Sequence, residues 1–389
     1  MVNKDWHSLD KIALKKLEGC IIFIIISITI FYMKVDVESL TKEKTSSKFV
    51  IQPNKPQYVR GIHLTSWAAG SKKYRKKIES LLNEKKINTL VIAVKEYSGE
   101  VYIPGVKAAE EFKTYVNAIP DLEAYLKDLK TIGIYPVARI VVFKDNATAK
   151  KRLKWAVKNP DGSIWKDYKG QAWLDPYNKE TWEYIFEIAE RAVNLGFEEI
   201  QFDYIRFPSD GVIKNCRYSQ SHSSITAIKT IVDFLAEAKK RLKDKYGVNI
   251  SVDIFGLTTS VEHDMGIGQM LLEIAKYVDF LCPMVYPSHY AKGEYGIPDP
   301  NKEPYKTVYK SLKDASLRLG PDYKKLRPYL QDFSLGKKYG LKEVLAQIKA
   351  SYENNIFEWT LWNPEADYTT DVFMQEEVTY GVIKNRNEN

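Results

Sequence analysis

The chain is poor in sulphur and in imidazole: its 389 residues include three cysteines and five histidines. Three cysteines build no disulfide scaffold, and none stands in the C-x-x-C spacing of a metal or redox site. Cys20 falls in an apolar N-terminal segment, which leaves Cys216 and Cys282 as two free thiols, or as a pair if the chain is exported. No H-x-H or H-E-x-x-H pattern supplies a zinc ligand set, and His263, Asp264 and His289 read as hydrogen-bonded structure before they read as ligands. No G-x-S-x-G elbow supports esterase or peptidase chemistry, and no G-x-G-x-x-G turn supports dinucleotide binding. Charge is not concentrated either. The 58 Lys and Arg against 50 Asp and Glu give a net +8 spread along the whole length. Nucleic-acid binding needs a clustered basic face, and none is present. The sequence therefore implies no cofactor, no metal and no nucleic-acid partner.

What is abundant is aromatic: 26 Tyr, 15 Phe and 8 Trp. Part of that excess belongs to a core, and part suits a groove for the flat apolar faces of sugar rings. Hydrophobic residues at 44% and charged residues at 28% are values of a folded globular chain. The N-terminus departs from this average. Lys4, Lys11, Lys15 and Lys16 precede the apolar run from Cys20 to Met33. Fourteen apolar residues are short of the ~20 that a membrane span needs, and match the core of an export signal. The positive flank directs the rest of the chain outward. Tyr32, Met33 and Lys34 offer no small-residue cleavage site, so an uncleaved signal anchor over residues 1–33 is expected ahead of a removed signal peptide. Either outcome makes the remainder extracytoplasmic. Residues 34–57 are rich in Lys, Glu, Ser, Thr and Pro and read as a flexible spacer, with a docked strand near Phe49 to Ile51 as the alternative.

From residue 58 to 389 the chain alternates apolar strand-like runs with helical patterns. The runs are 59–67, 88–96, 135–145, 198–208, 249–256, 277–287, 327–333 and 357–363. Several are continuously apolar, as parallel strands covered on both faces are. One intervening helix is expected to start at Asp175 and Pro176, bury Trp182, Ile185, Phe186, Ala189, Ala192 and Val193, and stop at Gly196. The next carries Ile225, Ile228, Val232, Leu235 and Leu242 before Gly247. Eight such units predict an α/β chain closed as a (β/α)₈ TIM barrel, ahead of a doubly wound open sheet.

In that fold the active site forms at the C-terminal ends of the strands. The polar and aromatic residues there are His63, Trp67, Lys95, Glu96, Arg139, Asp145, Asp203, Arg206, Asp253, Tyr286, His289, Gln331, Asp332, Trp359, Trp362 and Asn363. Asp203 lies among Phe202, Tyr204 and Ile205, where a charge costs several kcal/mol unless it is paired. A structural ion pair with Arg206 satisfies it; so does a catalytic role. Asp253 repeats the situation one strand later, three residues before Gly256. Two acids on adjacent strands are what glycoside hydrolysis requires, provided that their environments keep one of them protonated. Arg206 and Arg139 favour Asp203 as the ionised carboxylate, and Asp253 becomes the acid by elimination, with Glu96 and Asp332 in reserve. Trp67, Tyr286, Trp359 and Trp362 can stack on sugar rings, although each alone suits a core better. His63, Lys95, Arg139, Arg206, Tyr286, His289, Gln331 and Asn363 are the remaining substrate-binding candidates. Two other classes stay open: a carbohydrate-binding or scaffold protein without turnover, and a Schiff-base lyase or aldolase using Lys95.

The segments RGIHLTSW, FDYIRFPSDG, VDIFGL followed by DMGIGQ, VDFLCPMVYPSHY, RPYLQDF and WTLWN together resemble an uncharacterised family of glycoside hydrolase domains, catalogued as a domain of unknown function among the TIM-barrel glycosidases. The resemblance covers residues 58 to 368. FDYIRFP is also similar to the fourth strand of related envelope glycosidase-like families, and that likeness implies that Asp203 is the nucleophile. In VEHDMGIG, a loop that often carries two acids in the family, His263 stands before Asp264, so only Asp264 remains there. The resemblance implies a polysaccharide or oligosaccharide substrate, which the N-terminal segment would place outside the cytoplasm.

Overall fold

A computed structural model describes residues 50–375. The expected membrane segment and the spacer up to residue 49 lie outside the described residues. Among the described residues no helix is long and apolar enough to cross a membrane.

Eight strands close into a parallel barrel in chain order: β1 Arg60–Leu64, β2 Thr89–Lys95, β3 Tyr135–Val141, β4 Glu199–Asp203, β5 Asn249–Phe255, β6 Phe280–Met284, β7 Tyr329–Gln331 and β8 Trp359–Trp362. Each falls inside one of the eight apolar runs. Closure is made by β1 against β8, with Gly61 opposite Thr360 and Ile62 opposite Leu361. Every residue of β2 and β3 is buried, because one face meets the barrel interior and the other meets helices. The seven principal helices between strands are α1 Lys72–Asn83, α2 Leu122–Thr131, α3 Lys179–Leu195, α4 Ser224–Ala238, α5 Leu271–Ala275, α6 Pro304–Leu319 and α7 Leu341–Tyr352.

α3 buries the face that its spacing predicts and ends at Gly196 with φ +112°. It starts at Lys179 with Asn178 as N-cap, later than Asp175. The Asp175 carboxylate instead accepts from Tyr177 N at 3.0 Å and Ser219 N at 2.6 Å, closing the preceding loop. The expected face of α4 is rotated: Ile225 is 80% exposed, while Ala227, Ile231, Phe234, Leu235 and Ala238 are buried. Phe234 sets the phase. Its ring stacks on Phe186 at 4.8 Å and meets Phe202 edge-on at 5.3 Å, locking α4 to α3 and β4 together.

The lower barrel interior is polar, and Glu199 is its centre. Glu199 accepts from Arg327 Nη1 at 2.7 Å, from Ser251 Oγ at 2.5 Å and from Tyr135 Oη at 3.0 Å. Arg327 Nε reaches Glu358, and Lys55 pairs with the same glutamate. Residues 50–57, expected to be flexible, thus lie along the N-terminal face of the barrel. Ile51 N donates to Tyr246 O at 2.6 Å, and Asn54 N donates to Glu198 at 2.7 Å. Cys216 and Cys282 are free thiols, Cys282 inside the barrel.

Candidate active site

At the C-terminal ends of the strands lies a cavity of about 500 Å³, within the range of small-ligand sites. Asp203, Asp253, Arg139, Arg206, Tyr286, His289 and Trp362 all line it. Arg139 is the hub. Its Nε donates to Asp203 Oδ2 at 3.0 Å, its Nη2 also reaches that oxygen, and its Nη1 lies 3.2 Å from Glu96 Oε1. Asp253 Oδ2 lies 3.9 Å from the same Nε. The two aspartate Oδ2 atoms can therefore be no farther apart than the sum of those two distances, about 7 Å.

Three carboxylates around one buried guanidinium do not share it equally. Burial works against the Arg139 charge, yet Asp203, Glu96 and Asp253 together hold its pKa well above the usual arginine value. Asp253 is the worst served of the three. It is 2% exposed, and its Oδ1 has no hydrogen-bond partner among the described residues. Burial first, and then the charge of Asp203, push its pKa well above the ordinary carboxylate value, with Arg139 opposing. Asp203 has both oxygens engaged: Oδ1 accepts from Tyr204 N at 2.6 Å. Tyr204 follows with φ +49°, a left-handed conformation that a bulky side chain rarely adopts and that costs about 1–3 kcal/mol. That turn carries the chain away from β4 just after the acid. Met265, also on the cavity wall, has φ +52°.

Arg206, expected beside Asp203, donates instead to Phe207 O at 3.0 Å and Ser209 Oγ at 3.1 Å. Its guanidinium lies 4.5 Å from the Phe255 ring and 4.9 Å from that of Trp173. On the opposite side Tyr286 and Trp362 stack at 5.4 Å, with Phe333 edge-on to both. Burial, followed by the charge of Lys169, lowers the pKa of His289.

Five expected site residues lie elsewhere. His63 is buried, with both ring nitrogens unpartnered among the described residues, and burial followed by the Arg139 charge lowers its pKa well below the usual histidine value. Trp67 sits 62% exposed on the short helix Ser66–Gly70. Lys95 is wholly buried, 2.9 Å from Asp145 Oδ2 and 2.8 Å from Val141 O, with the Tyr184 ring of α3 at 6.0 Å. A bulge between Ala93 and Lys95 turns it into the layer between sheet and helices, where no carbonyl substrate reaches. Gln331 accepts from Ser288 N at 3.1 Å and donates to Phe333 O at 2.9 Å, bracing the loops after β6 and β7. Asn363 Nδ2 donates to Asp367 O, closing its own turn, and to Asp332 O, tying that turn to the end of β7. Of the reserve acids, Glu96 shares Arg139, and Asp332 accepts from Thr369 N and Oγ1 at 2.8 Å each. Asp264 accepts from Ser224 Oγ and Gly268 N, tying its loop to the start of α4. Trp359 belongs to the core.

Two further acids on the cavity wall, Asp210 and Glu294, are not in any apolar run. Asp210 follows β4 within the FPSDG string, which was a usable signal; Glu294 sits in the long loop after β6, where nothing local marks it.

The family profile described as "Putative glycosyl hydrolase domain" matches residues 61–368. Curated proteins show no match to the chain. Among solved structures, the glycoside hydrolase domain of PgaB (BpsB) from Bordetella bronchiseptica is 12% identical with a TM-score of 0.60, over 84% of this chain and 98% of that one. Alpha-L-fucosidase isoenzyme 2 from Paenibacillus thiaminolyticus is 11% identical with a TM-score of 0.58, over 85% of this chain and 50% of that one. A hypothetical protein from Ruminiclostridium thermocellum is 35% identical over 49% of this chain and 96% of its own length, with a TM-score of 0.44. At 11–12% identity the first two likenesses are likenesses of fold.

Proposed function

Since the chain belongs to this glycosyl hydrolase domain family, we propose that it cleaves glycosidic bonds, with Asp203 as nucleophile and Asp253 as acid and base. The observation that carries the reading is the unequal treatment of two strand-end aspartates that face one cavity and flank one arginine. Asp253, whose pKa burial and Asp203 raise, keeps a proton to give to the leaving oxygen. Asp203 attacks the anomeric carbon. Asp253 then takes a proton from the water that releases the sugar. Stacked Tyr286 and Trp362 offer a flat apolar wall to the ring, and Arg206 and His289 offer donors to its hydroxyls.

An upper bound of about 7 Å between the two Oδ2 atoms accommodates the ~5 Å between the carboxyl groups of retaining enzymes. The reading therefore commits to retention. Asp203→Asn is expected to lower reducing-end release from a cleaved glycan by roughly three orders of magnitude or more, with an unchanged circular-dichroism spectrum. Proton NMR of the first anomer released by wild type is expected to show the configuration of the substrate. Full activity in the variant overturns the role of Asp203, and an inverted product moves the acid to Asp210 or Glu294.

The engagement of both Asp203 oxygens also suits a structural pair, which favours one second reading: a carbohydrate-binding protein without turnover. Glycan binding without reducing-end release over long incubation identifies it. The apolar run 20–33 behind its lysine flank supports an extracytoplasmic, membrane-tethered placement. Protease added to intact cells is then expected to degrade the domain, and a protected, carbonate-soluble protein overturns that placement.

A further inference from the structure

The chain between β3 and α3, residues 142–178, folds into a small antiparallel array through the bridges Ala156 to Leu174, Lys158 to Ile164 and Lys166 to Ala172. Its tip exposes Tyr168, at 79% among the most exposed large apolar side chains of the described residues. A single exposed aromatic means little by itself. This one follows a closely bonded turn whose buried ion pair backs onto a cavity-lining residue. Asp167 Oδ1 accepts from Lys169 N at 3.0 Å and Gln171 N at 2.9 Å, and Gly170 completes the turn with φ +74°. Asp167 Oδ2 pairs with Lys144 Nζ at 2.7 Å, both side chains buried. That ammonium lies 5.4 Å from the ring of Tyr204, which lines the cavity, and 5.6 Å from the ring of Tyr97, which is 48% exposed in the loop after β2. One buried cation thus links the cavity wall, the residue before Tyr168 and a second exposed tyrosine. The charge of Lys169, after burial, contributes to lowering the pKa of the cavity histidine His289.

We infer that Tyr168 and Tyr97 form an outer stacking subsite for sugar rings that extend beyond the cavity, so that the substrate is a linear glycan long enough to leave it. The inference rests on the glycosidase reading for its ligand class. Three features support it. Both rings lie in loops at the strand C-termini, the end of the barrel at which the cavity opens. A 500 Å³ cavity holds only a few rings of a polymer. The backbone of the tip is already held by Asp167, so that only the Tyr168 side chain has to order on binding.

The test uses the full chain against four polymers, namely glycol chitin, amylopectin, galactomannan and xylan, each with the p-nitrophenyl glycoside of its own sugar. Affinity electrophoresis is run on wild type, Asp203→Asn, and each of these with Tyr168→Ala. The expected result is retardation of wild type and Asp203→Asn by at least one polymer, weakened roughly fivefold to tenfold by Tyr168→Ala and restored by Tyr168→Phe. On a cleaved polymer, the loss of kcat/KM in Tyr168→Ala is expected to exceed the loss on the aryl glycoside by about tenfold. Equal losses on both, or retardation indifferent to Tyr168, overturn the subsite while leaving the glycosidase reading in place; a protein-docking role for the tip gives that second outcome. Retardation that depends on Tyr168 in a protein that cleaves none of the glycans supports the subsite and overturns the glycosidase. Retardation by none of the four overturns the subsite.

Discussion

Asp203 and Asp253 are chemically identical side chains that differ only in what surrounds them. Arg139 is committed mainly to Asp203, which leaves Asp253 buried with one oxygen 3.9 Å from the guanidinium and the other unbonded within the described protein. The resulting high proton affinity has a consequence for stability. Unfolded, the Asp253 carboxyl has its ordinary value of 3.8; folded, it lies well above it. The folded chain therefore holds a proton that the unfolded chain releases. Its contribution is full below the unfolded value and is lost as pH rises through the folded one. An asparagine has no such dependence. Asp253→Asn is expected to gain stability relative to wild type as pH rises above about 4, by up to about 1.4 kcal/mol per pH unit until the folded-state value is reached. Urea unfolding of both proteins from pH 4 to 8 measures the difference, and parallel pH profiles would remove the argument for Asp253 as the acid.

At the level of elements, the site depends on what each strand does just beyond its last ladder residue. β4 ends at Asp203 and turns through Tyr204 in a left-handed conformation; β5 continues two residues past Asp253 and turns at Gly256. Gly256 is required for closeness and not for its dihedral. A Cβ there would sit 2.6 Å from Met284 O, a backbone atom of β6, and 2.3 Å from Tyr290 Oη. The Tyr290 hydroxyl is itself bonded to Ser311 Oγ on α6 at 2.7 Å, so neither neighbour yields easily. Gly256→Ala is expected to destabilise by about 1–3 kcal/mol and to displace the loop after β6 that carries His289 and Glu294. Thermal unfolding with kcat/KM on any cleaved glycan checks both parts; an unaffected Tm shows that β5 and β6 can separate locally.

The whole barrel divides its labour between its two ends. The upper end leaves a carboxyl poorly satisfied beside a cavity, whereas the lower end satisfies Glu199 from three sides and extends the network through Arg327 and Glu358 to Lys55. Residues 50–57 are therefore part of the folded body, in one compact unit with the described residues that follow them. A chain beginning at Tyr58 is expected to be less stable than one beginning at Val50 by about 1–3 kcal/mol, through loss of the Lys55 pair and the Ile51 and Asn54 hydrogen bonds. Activity should persist in both, because these contacts lie at the end opposite the cavity. Equal urea midpoints would show that the segment is only laid against the barrel.

Sequence alone was enough for the architecture, because burial on both faces writes itself locally into runs such as TLVIAVK and YPVARIV, and helix periodicity marks the face of α3. It was also enough to single out Asp203 and Asp253 as acids in apolar strands. It did not reveal that Arg139, rather than Arg206, holds Asp203, nor that the residues before Tyr58 tie to the underside. The bulge that turns Lys95 away, the Phe234 contact that rotates α4, and the arrival of Glu294 at the cavity were equally hidden. Those facts depend on register, closure and loop paths. A side chain's chemistry and its local period are carried by its neighbours in the chain, whereas its partner and its proton affinity are fixed by atoms that only the closed barrel brings near.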